Sequence, residues 1–140
     1  MGDNLQLVEQ HMKAWSTGDV EGIVACFTED CVFEDLALQA RFEGHEQLRE
    51  FAVAVFAALP DFVWTPTTTM FSDGGRVCTE WRFTGTQTGD FPGIPATGKA
   101  SDIPGVTVDE IRDGRIHQHR DYWSLATYLQ QVGLMPTPEP

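Results

Sequence analysis

The chain has little positive charge and no long hydrophobic run. It carries 9 Lys and Arg residues against 21 Asp and Glu residues, and its net charge is −12 at pH 7. Nucleic acids and anionic membrane surfaces need a basic face on the protein that binds them, and a transmembrane helix needs about 20 apolar residues. The composition therefore argues against a nucleic-acid partner and against a membrane protein.

Cysteines are also few. Cys26, Cys31 and Cys78 make an odd number, and no Cys-x-x-Cys pair or Cys/His spacing typical of a metal site is present. This pattern predicts reduced, mostly buried thiols in a cytoplasmic protein without a bound metal. The polar stretch 1–4 does not have the features of a signal peptide.

The common catalytic and cofactor-binding motifs are missing too. The sequence contains no Gly-x-Ser-x-Gly, no phosphate-binding loop and no His-Glu-x-x-His. Gly98 and Lys99 lack the preceding spacing and the following helix that a phosphate loop requires. The sequence thus gives no reason to expect a cofactor.

Aromatic residues, in contrast, are abundant. The chain of 140 residues has four tryptophans and nine phenylalanines, which can fill a core or line a cavity for a flat apolar ligand. Its length fits one domain. We expect this domain to span residues 1–135 and the proline-rich tail 136–140 to be disordered.

Helical spacing dominates the first half of the chain and strand patterns the second half. A helix begins after Asp3 or Asn4 and ends at Gly18, a short one runs from Asp19 to Phe27, and a long one runs from Gly44 to Pro60. A short closing helix is expected over 125–132. The predicted strands are 31–36, 62–71, 76–84, 101–111 and 115–123, with turns at 73–75 and 113–114. Early helices and late antiparallel strands indicate an α+β fold.

The segment 85–99 is a long connection between two strands. Its four glycines and two prolines exclude a regular helix or a central strand. Ordered loops of this length are usually functional. We therefore expect this loop to contribute to a site.

The last long strand carries the best candidates for catalysis. Strict alternation places His117, His119, Asp121 and Trp123 on one face. A carboxyl in a poorly hydrated pocket, held by an imidazole, is suited to general acid/base chemistry. The alternative is that this face meets water and that Asp121 pairs with a basic side chain such as Arg120.

Two further acidic positions are weaker candidates. Glu34 and Asp35 end the strand 31–36, and both are expected to be exposed at the strand end. Asp102 and Arg82 could form a second polar site on neighbouring strands. Pro104 predicts a bulge or an edge in strand 101–111.

Other aromatic and histidine positions have mainly structural interpretations. Trp64, Trp81 and Trp123 are more often core residues, although Trp81 and Trp123 suit a cavity because their strands are expected to be neighbours. His11 and His45 are expected to cap a helix or to face solvent, and neither receives a role.

Three segments together resemble the SnoaL-like polyketide cyclases of the nuclear transport factor 2-like superfamily. They are the run Gly-Thr-x-x-Gly-x-Phe-x-Gly-Ile-Pro-Ala-Thr-Gly at 85–98, the turn 113–116 and the strand segment 119–123, within a similarity over about 60–133. Ser124 departs from the family, which often has a second aspartate there. The resemblance implies a cone-shaped, curved, antiparallel or mixed sheet around a long helix.

The resemblance also implies a function and its residues. Asp121 falls at the position of the family's acid/base and His119 at a site position, and Phe33, Asp35, Trp81, Thr107 and Trp123 are expected to bind substrate. The expected activity is a cofactor-independent aldol cyclisation in secondary metabolism, on a hydrophobic carbonyl or polyketide-like substrate. The alternatives are epoxide hydrolysis, isomerisation, or a non-catalytic binding or dimerisation module. A homodimer or higher oligomer through the outer sheet face, with Arg120 and Tyr122, is also expected.

Overall fold

Helices and strands alternate in a pattern close to the predicted one. The computed structural model describes residues 2–72 and 74–138. In chain order its elements are α1 (Gly2–Ser16), α2 (Val20–Ala25), β1 (Phe27–Asp35), β2 (Ala40–Glu43), α3 (Gly44–Ala58), β3 (Val63–Ser72), β4 (Arg76–Thr86), β5 (Ala100–Arg112), β6 (Arg115–Trp123) and α4 (Leu125–Gln131).

The strands form one mixed sheet in the order β2-β1-β6-β5-β4-β3. All neighbours are antiparallel except β1 and β6, which run parallel. Helix α3 packs against β1 and β2, and α1 packs against β3. The helices thus cover one face of the sheet, and the predicted α+β class with a mixed sheet is confirmed.

Local sequence signals fix several element ends. The Asp19 carboxylate caps α2 by accepting a hydrogen bond from the Gly22 N–H at 2.9 Å. Pro60 follows the end of α3, as the sequence predicts. Asp113 and Gly114 both have positive φ, 53° and 76°, which builds the tight turn between β5 and β6.

Some predicted boundaries were wrong. Helix α2 ends at Ala25, and β1 starts at Phe27 rather than at Cys31, because Phe27 already pairs with Ile116. Strand β2 was not predicted, since four residues are too short for a periodic signal. Asp73 of the predicted turn and residues 139–140 of the predicted tail lie outside the described residues.

A β-bulge interrupts β6 at His117. Ile111 pairs with Ile116, but Glu110 pairs with Gln118, so His117 is an extra residue on β6. The bulge reverses the alternation, and Ile116, His119 and Asp121 all point inward and are buried. The prediction that His117 shares the face of His119 and Asp121 was therefore wrong.

Pro104 lies in a part of β5 that has a neighbour on one side. It pairs with Arg82 of β4, whereas the pairing of β5 with β6 begins at Gly105. The ladder between β4 and β5 shows no register shift at this point. Of the two predicted explanations, an edge rather than a bulge accommodates the proline.

Candidate active site

An aromatic cavity lies between the helices and the inner face of the sheet. Its volume is about 100 Å³. All four tryptophans of the chain line it, together with two carboxylates. The lining residues are Trp15, Phe33, Asp35, Leu38, Phe51, Val55, Ala58, Leu59, Phe62, Trp64, Trp81, Phe83, Gln87, Phe91, Ile94, Asp121, Trp123 and Tyr128.

Asp121 is buried, and two hydrogen bonds fix one oxygen of its carboxylate. Its Oδ1 atom accepts hydrogen bonds from the Thr107 hydroxyl at 2.5 Å and from His119 Nε2 at 2.7 Å. The strand register causes both contacts, because Thr107 lies directly opposite Asp121 and His119 lies two residues before it. Oδ2 has no hydrogen-bond partner among residues 2–72 and 74–138 and remains available to a ligand in the cavity that Asp121 lines.

His119 is fully buried between two aspartates. Its Nδ1 lies 2.7 Å from Asp109 Oδ1, and its Nε2 lies 2.7 Å from Asp121 Oδ1. Carboxylate acceptors on both ring nitrogens require both to carry hydrogen, which makes the ring an imidazolium. Burial alone would lower the pKa of His119, but the charges of Asp121 and Asp109 outweigh it and raise the pKa to about 10.

Aromatic rings hold the imidazolium in place. Phe33 stacks on His119 with 4.3 Å between ring centroids and 15° between planes. His11 meets it edge-on at 5.3 Å and accepts a hydrogen bond from Trp15 Nε1 at 2.8 Å. Burial, followed by the charge of His119, lowers the pKa of His11. His11 is therefore a neutral core residue, and the expectation of a cap or a solvent-facing side chain was wrong.

Asp35 places a second carboxylate in the same cavity. It is the register partner of Asp121 on the neighbouring parallel strand. Its Oδ2 accepts a hydrogen bond from Trp123 Nε1 at 3.0 Å, and its Oδ1 accepts one from the Leu38 N–H at 2.9 Å. Burial first, and repulsion from Asp121 second, raise the pKa of Asp35 to about 6. The expectation that both acids are exposed was wrong for Asp35, whereas Glu34 forms a surface ion pair with Arg41.

Thr107 connects the site to Trp81. Its hydroxyl accepts a hydrogen bond from Trp81 Nε1 at 2.7 Å while it donates to Asp121. Trp81 lines the cavity, but Thr107 lies behind Asp121 and does not. The predicted substrate-binding position Thr107 is thus placed to support Asp121 instead.

The glycine- and proline-rich loop closes one side of the cavity. Gln87 is buried, and its Nε2 donates to the Ile94 carbonyl at 2.7 Å while its Oε1 accepts from the Tyr128 hydroxyl of α4. Gly89 fits against α3, where an added Cβ would lie 2.4 Å from the Ala57 carbonyl oxygen. The loop contributes Gln87, Phe91 and Ile94 to the lining.

Several other predicted polar positions lie away from the cavity. Arg82 and Asp102 pair at 2.9 Å, and both side chains are about half exposed. His117 lies near Thr28 and Asp30. His45, in the first turn of α3, contacts the Phe27 carbonyl oxygen through its Nε2 at 2.9 Å. None of these residues lines the cavity.

Asp109 was missed in the sequence. Its register partner is His119, but the bulge at His117 sets that register, and the bulge has no clear sequence signal. Asp109 is buried, and burial raises its pKa while the charge of His119 opposes this rise. Among the residues that the structure describes, no group of three or more His, Cys, Asp or Glu side chains is placed to hold a metal ion.

The mixed sheet and its covered cavity place the chain in a fold class also found in solved structures. A protein with a ketosteroid isomerase-like fold from Catenulispora acidiphila, in complex with trimethylamine, is 23% identical with a TM-score of 0.82, over 96% of this chain and 97% of that one. TsrD from Streptomyces laurentii is 23% identical with a TM-score of 0.85, over the same shares.

The chain belongs to the SnoaL-like polyketide cyclase family, whose sequence model matches residues 5–132. A protein of Jannaschia sp. CCS1 assigned to these cyclases is 21% identical with a TM-score of 0.84, over 96% of this chain and 94% of that one. The comparison with curated proteins finds no match. Within the described ranges, the helices are too short or too polar to cross a membrane.

Proposed function

We propose that the chain is a cofactor-independent acid/base enzyme that binds a small aromatic or polyketide-like carbonyl compound. One observation carries this proposal. The carboxylate of Asp121 has one oxygen held by Thr107 and His119, whereas the other has no donor among the described residues, in a cavity lined by aromatic rings. A fixed carboxylate with a free oxygen in a poorly hydrated site is suited to remove a proton from carbon.

In this mechanism Asp121 is the base and His119 is a positioning residue. Both ring nitrogens of His119 are occupied by carboxylates, and the ring does not line the cavity. It therefore has no free nitrogen for the substrate. The His119 ring fixes the position of the Asp121 carboxylate through its Nε2, and Asp109 fixes the orientation of the ring through its Nδ1.

The proposed reaction is an intramolecular aldol closure. Asp121 removes a proton from the carbon next to a carbonyl, and the resulting enolate carbon forms a bond with a second carbonyl carbon. The alkoxide formed there takes the proton back from Asp121, so the carboxylate is regenerated and no atom is gained or lost. General acid/base catalysis contributes on the order of 10²–10⁴-fold, and the folded pose of the substrate contributes further.

The cavity size limits the substrate. A cavity of about 150 Å³ accommodates benzene, and the cavity here has about 100 Å³. No more than one ring or one short branch of a polyketide-like substrate can therefore enter at Asp121. The remainder of a larger substrate must extend out of the cavity or move the loop 87–99.

Deuterium exchange into a single-ring ketone tests the proton transfer without knowledge of the natural substrate. In D₂O with acetophenone, followed by NMR, the wild type is expected to accelerate exchange at the methyl group, and Asp121→Asn is expected to lower this rate by about 10²-fold or more. Asp102→Asn removes an exposed carboxylate outside the cavity and serves as the matched control. Equal exchange by wild type and Asp121→Asn would contradict the proposal.

Epoxide opening or isomerisation is a second candidate, favoured by the position of Asp35. That alternative requires a second carboxylate near Asp121, and Asp35 supplies one from the neighbouring strand. Diol formation from styrene oxide that depends on both Asp35 and Asp121 would favour it over aldol closure. Asp102 and Arg82, the other predicted polar pair, do not support this reaction, because both lie outside the cavity.

A binding module without catalysis is the third candidate. The small cavity supports it, as does the trimethylamine found with the relative from Catenulispora acidiphila. A binding module, however, also predicts an Asp121 that faces solvent, and the burial of Asp121 speaks against this candidate. Ligand binding without any exchange activity would favour this candidate.

A further inference from the structure

The cavity combines aromatic walls with uncompensated negative charge. Asp35 and Asp121 are its charged lining residues, and no Lys, Arg or His among the described residues lines it. The nearest positive charge is the imidazolium of His119, which Asp109 and Asp121 already share. One positive charge therefore faces three carboxylates when Asp35 is ionised.

Within the described part of the chain, the hydrogen-bond donors to Asp35 are all neutral. Its oxygens accept hydrogen bonds from the Trp123 indole and the Leu38 N–H, and neither donor carries a charge. Its register partner is another carboxylate, Asp121. A positive charge placed between the two would offset the repulsion and the burial that raise the pKa of Asp35.

The walls suit an alkylated cation. The faces of tryptophan rings attract ammonium groups, and the attraction grows when the cation is desolvated. Four indoles line a space of about 100 Å³, which matches a small methylated head group better than a fused ring system.

We propose that this cavity binds ligands through a cationic nitrogen, as an amine or quaternary ammonium group seated between Asp35 and Asp121 against the tryptophan rings. This inference names the ligand class of the site described above. It holds for a catalyst or a binding module alike, so it does not depend on the aldol reaction.

A matched pair of probes separates charge from shape. Choline and 3,3-dimethylbutan-1-ol have the same outline, but only choline is charged. By calorimetric titration at pH 8, choline is expected to bind the wild type about ten-fold or more tightly than the neutral alcohol, since one ion pair in a partly buried site is worth at least that factor. Equal affinity, or no binding of choline, would overturn the proposal.

Asp35→Asn tests the residue. The variant keeps an oxygen that can accept a hydrogen bond but loses the charge, so its affinity for choline is expected to fall about ten-fold while that for the alcohol stays the same. Asp102→Asn is the control and is expected to bind both probes like the wild type. An unchanged affinity for choline in Asp35→Asn would overturn the proposal.

The wild type alone provides a second measurement that needs no variant. From pH 8 to pH 5 Asp35 gains a proton, so choline affinity is expected to fall while alcohol affinity stays constant. The other titratable groups around Asp35 are Asp121 and His119 on β6, Asp109 on β5, His11 on α1 and Tyr128 on α4. The raised pKa of His119, about 10, and the lowered pKa of His11 keep both rings in one state over this range. A choline affinity that falls neither from pH 8 to pH 5 nor in Asp35→Asn would overturn the proposal, and deuterium exchange on acetophenone tests the catalytic proposal separately.

Discussion

Two threonines that face each other across β4 and β5 differ in what their hydroxyls do. Thr79 and Thr107 are register partners, and both are buried. The Thr107 hydroxyl bonds Asp121 and Trp81, whereas the Thr79 hydroxyl has no hydrogen-bond partner among the described residues. A buried polar group without a partner lowers stability, and a satisfied one does not.

Thr79→Val and Thr107→Val are therefore expected to have opposite effects. The two replacements are identical in chemistry, and valine suits a strand. Thr79→Val is expected to raise the free energy of unfolding by about 1 kcal/mol. Thr107→Val is expected to lower it by about 1–3 kcal/mol, because Trp81 Nε1 loses its acceptor and Asp121 loses one of its two donors. Urea denaturation measures both changes. A similar loss of stability in both variants would contradict this assignment of hydrogen bonds.

At the scale of single residues, the sequence pointed to much of the site but not to its arrangement. Asp121 and His119 could be predicted because residues two apart share a face of a strand. The burial of Asp35 could not be predicted, because its environment depends on β6 and Trp123 from distant parts of the chain. Asp109 could not be paired with His119 either.

At the scale of elements, the bulge in β6 explains why the pairing of Asp109 with His119 could not be predicted from the sequence. A regular hairpin continued from the turn 113–114 would place Asp109 opposite Gln118 and Thr107 opposite Arg120. The extra residue His117 shifts the register by one, which brings Asp109 to His119 and Thr107 to Asp121. One inserted residue thus assembles the buried network, and short-range patterns cannot show it.

Gly105 in β5 gives the Trp81 indole its place. A Cβ at Gly105 would lie 2.3 Å from the Trp81 ring. Gly105→Ala is therefore expected to displace Trp81, break its hydrogen bond to Thr107 and lower the free energy of unfolding by about 1–3 kcal/mol. The double variant Gly105→Ala/Trp81→Phe has a smaller ring and is expected to lose less than the sum of the two single variants. Thermal unfolding measures the effect, and simple additivity would contradict this explanation.

At the scale of the whole molecule, the architecture was predictable while the exact strand ends were not. Apolar periodicity and turn residues located the long helices and the β5–β6 hairpin, since these signals are local. Strand β2 and the parallel pairing of β1 with β6 result from tertiary contacts. The resemblance to the SnoaL-like cyclases supplied the fold, which composition alone could not.

Dimerisation through the outer sheet face stays a prediction. Tyr122 is 45% exposed on that face, and Arg120 beside it is partly buried and bonded to Glu110 and Gln118. Tyr122→Glu adds a charge at the expected interface, so a dimer of the wild type is expected to become a monomer. Light scattering after gel filtration measures the mass. A monomeric wild type, or a variant that remains dimeric, would contradict the predicted interface.

The stability of the whole molecule is expected to depend on pH through the buried groups of the site. The folded-state pKa of Asp35, about 6, lies above its ordinary value of 3.8. The folded protein therefore holds this proton more tightly than the unfolded chain does. The contribution of this proton to the free energy of unfolding is complete below about pH 3.8 and is lost as the pH rises through 6. His119 acts in the same direction between 6.5 and about 10.

Comparison of wild type with Asp35→Asn isolates this effect. Between pH 5 and pH 7, His11 and His119 also contribute, but with opposite signs, because burial lowers the pKa of His11 whereas carboxylates raise that of His119. Both are present in wild type and variant, so they cancel in the difference. The stability of wild type relative to Asp35→Asn is expected to fall by roughly 1 kcal/mol from pH 5 to pH 7. Urea denaturation at several pH values measures this difference, and a constant difference would contradict a folded-state pKa of about 6 for Asp35.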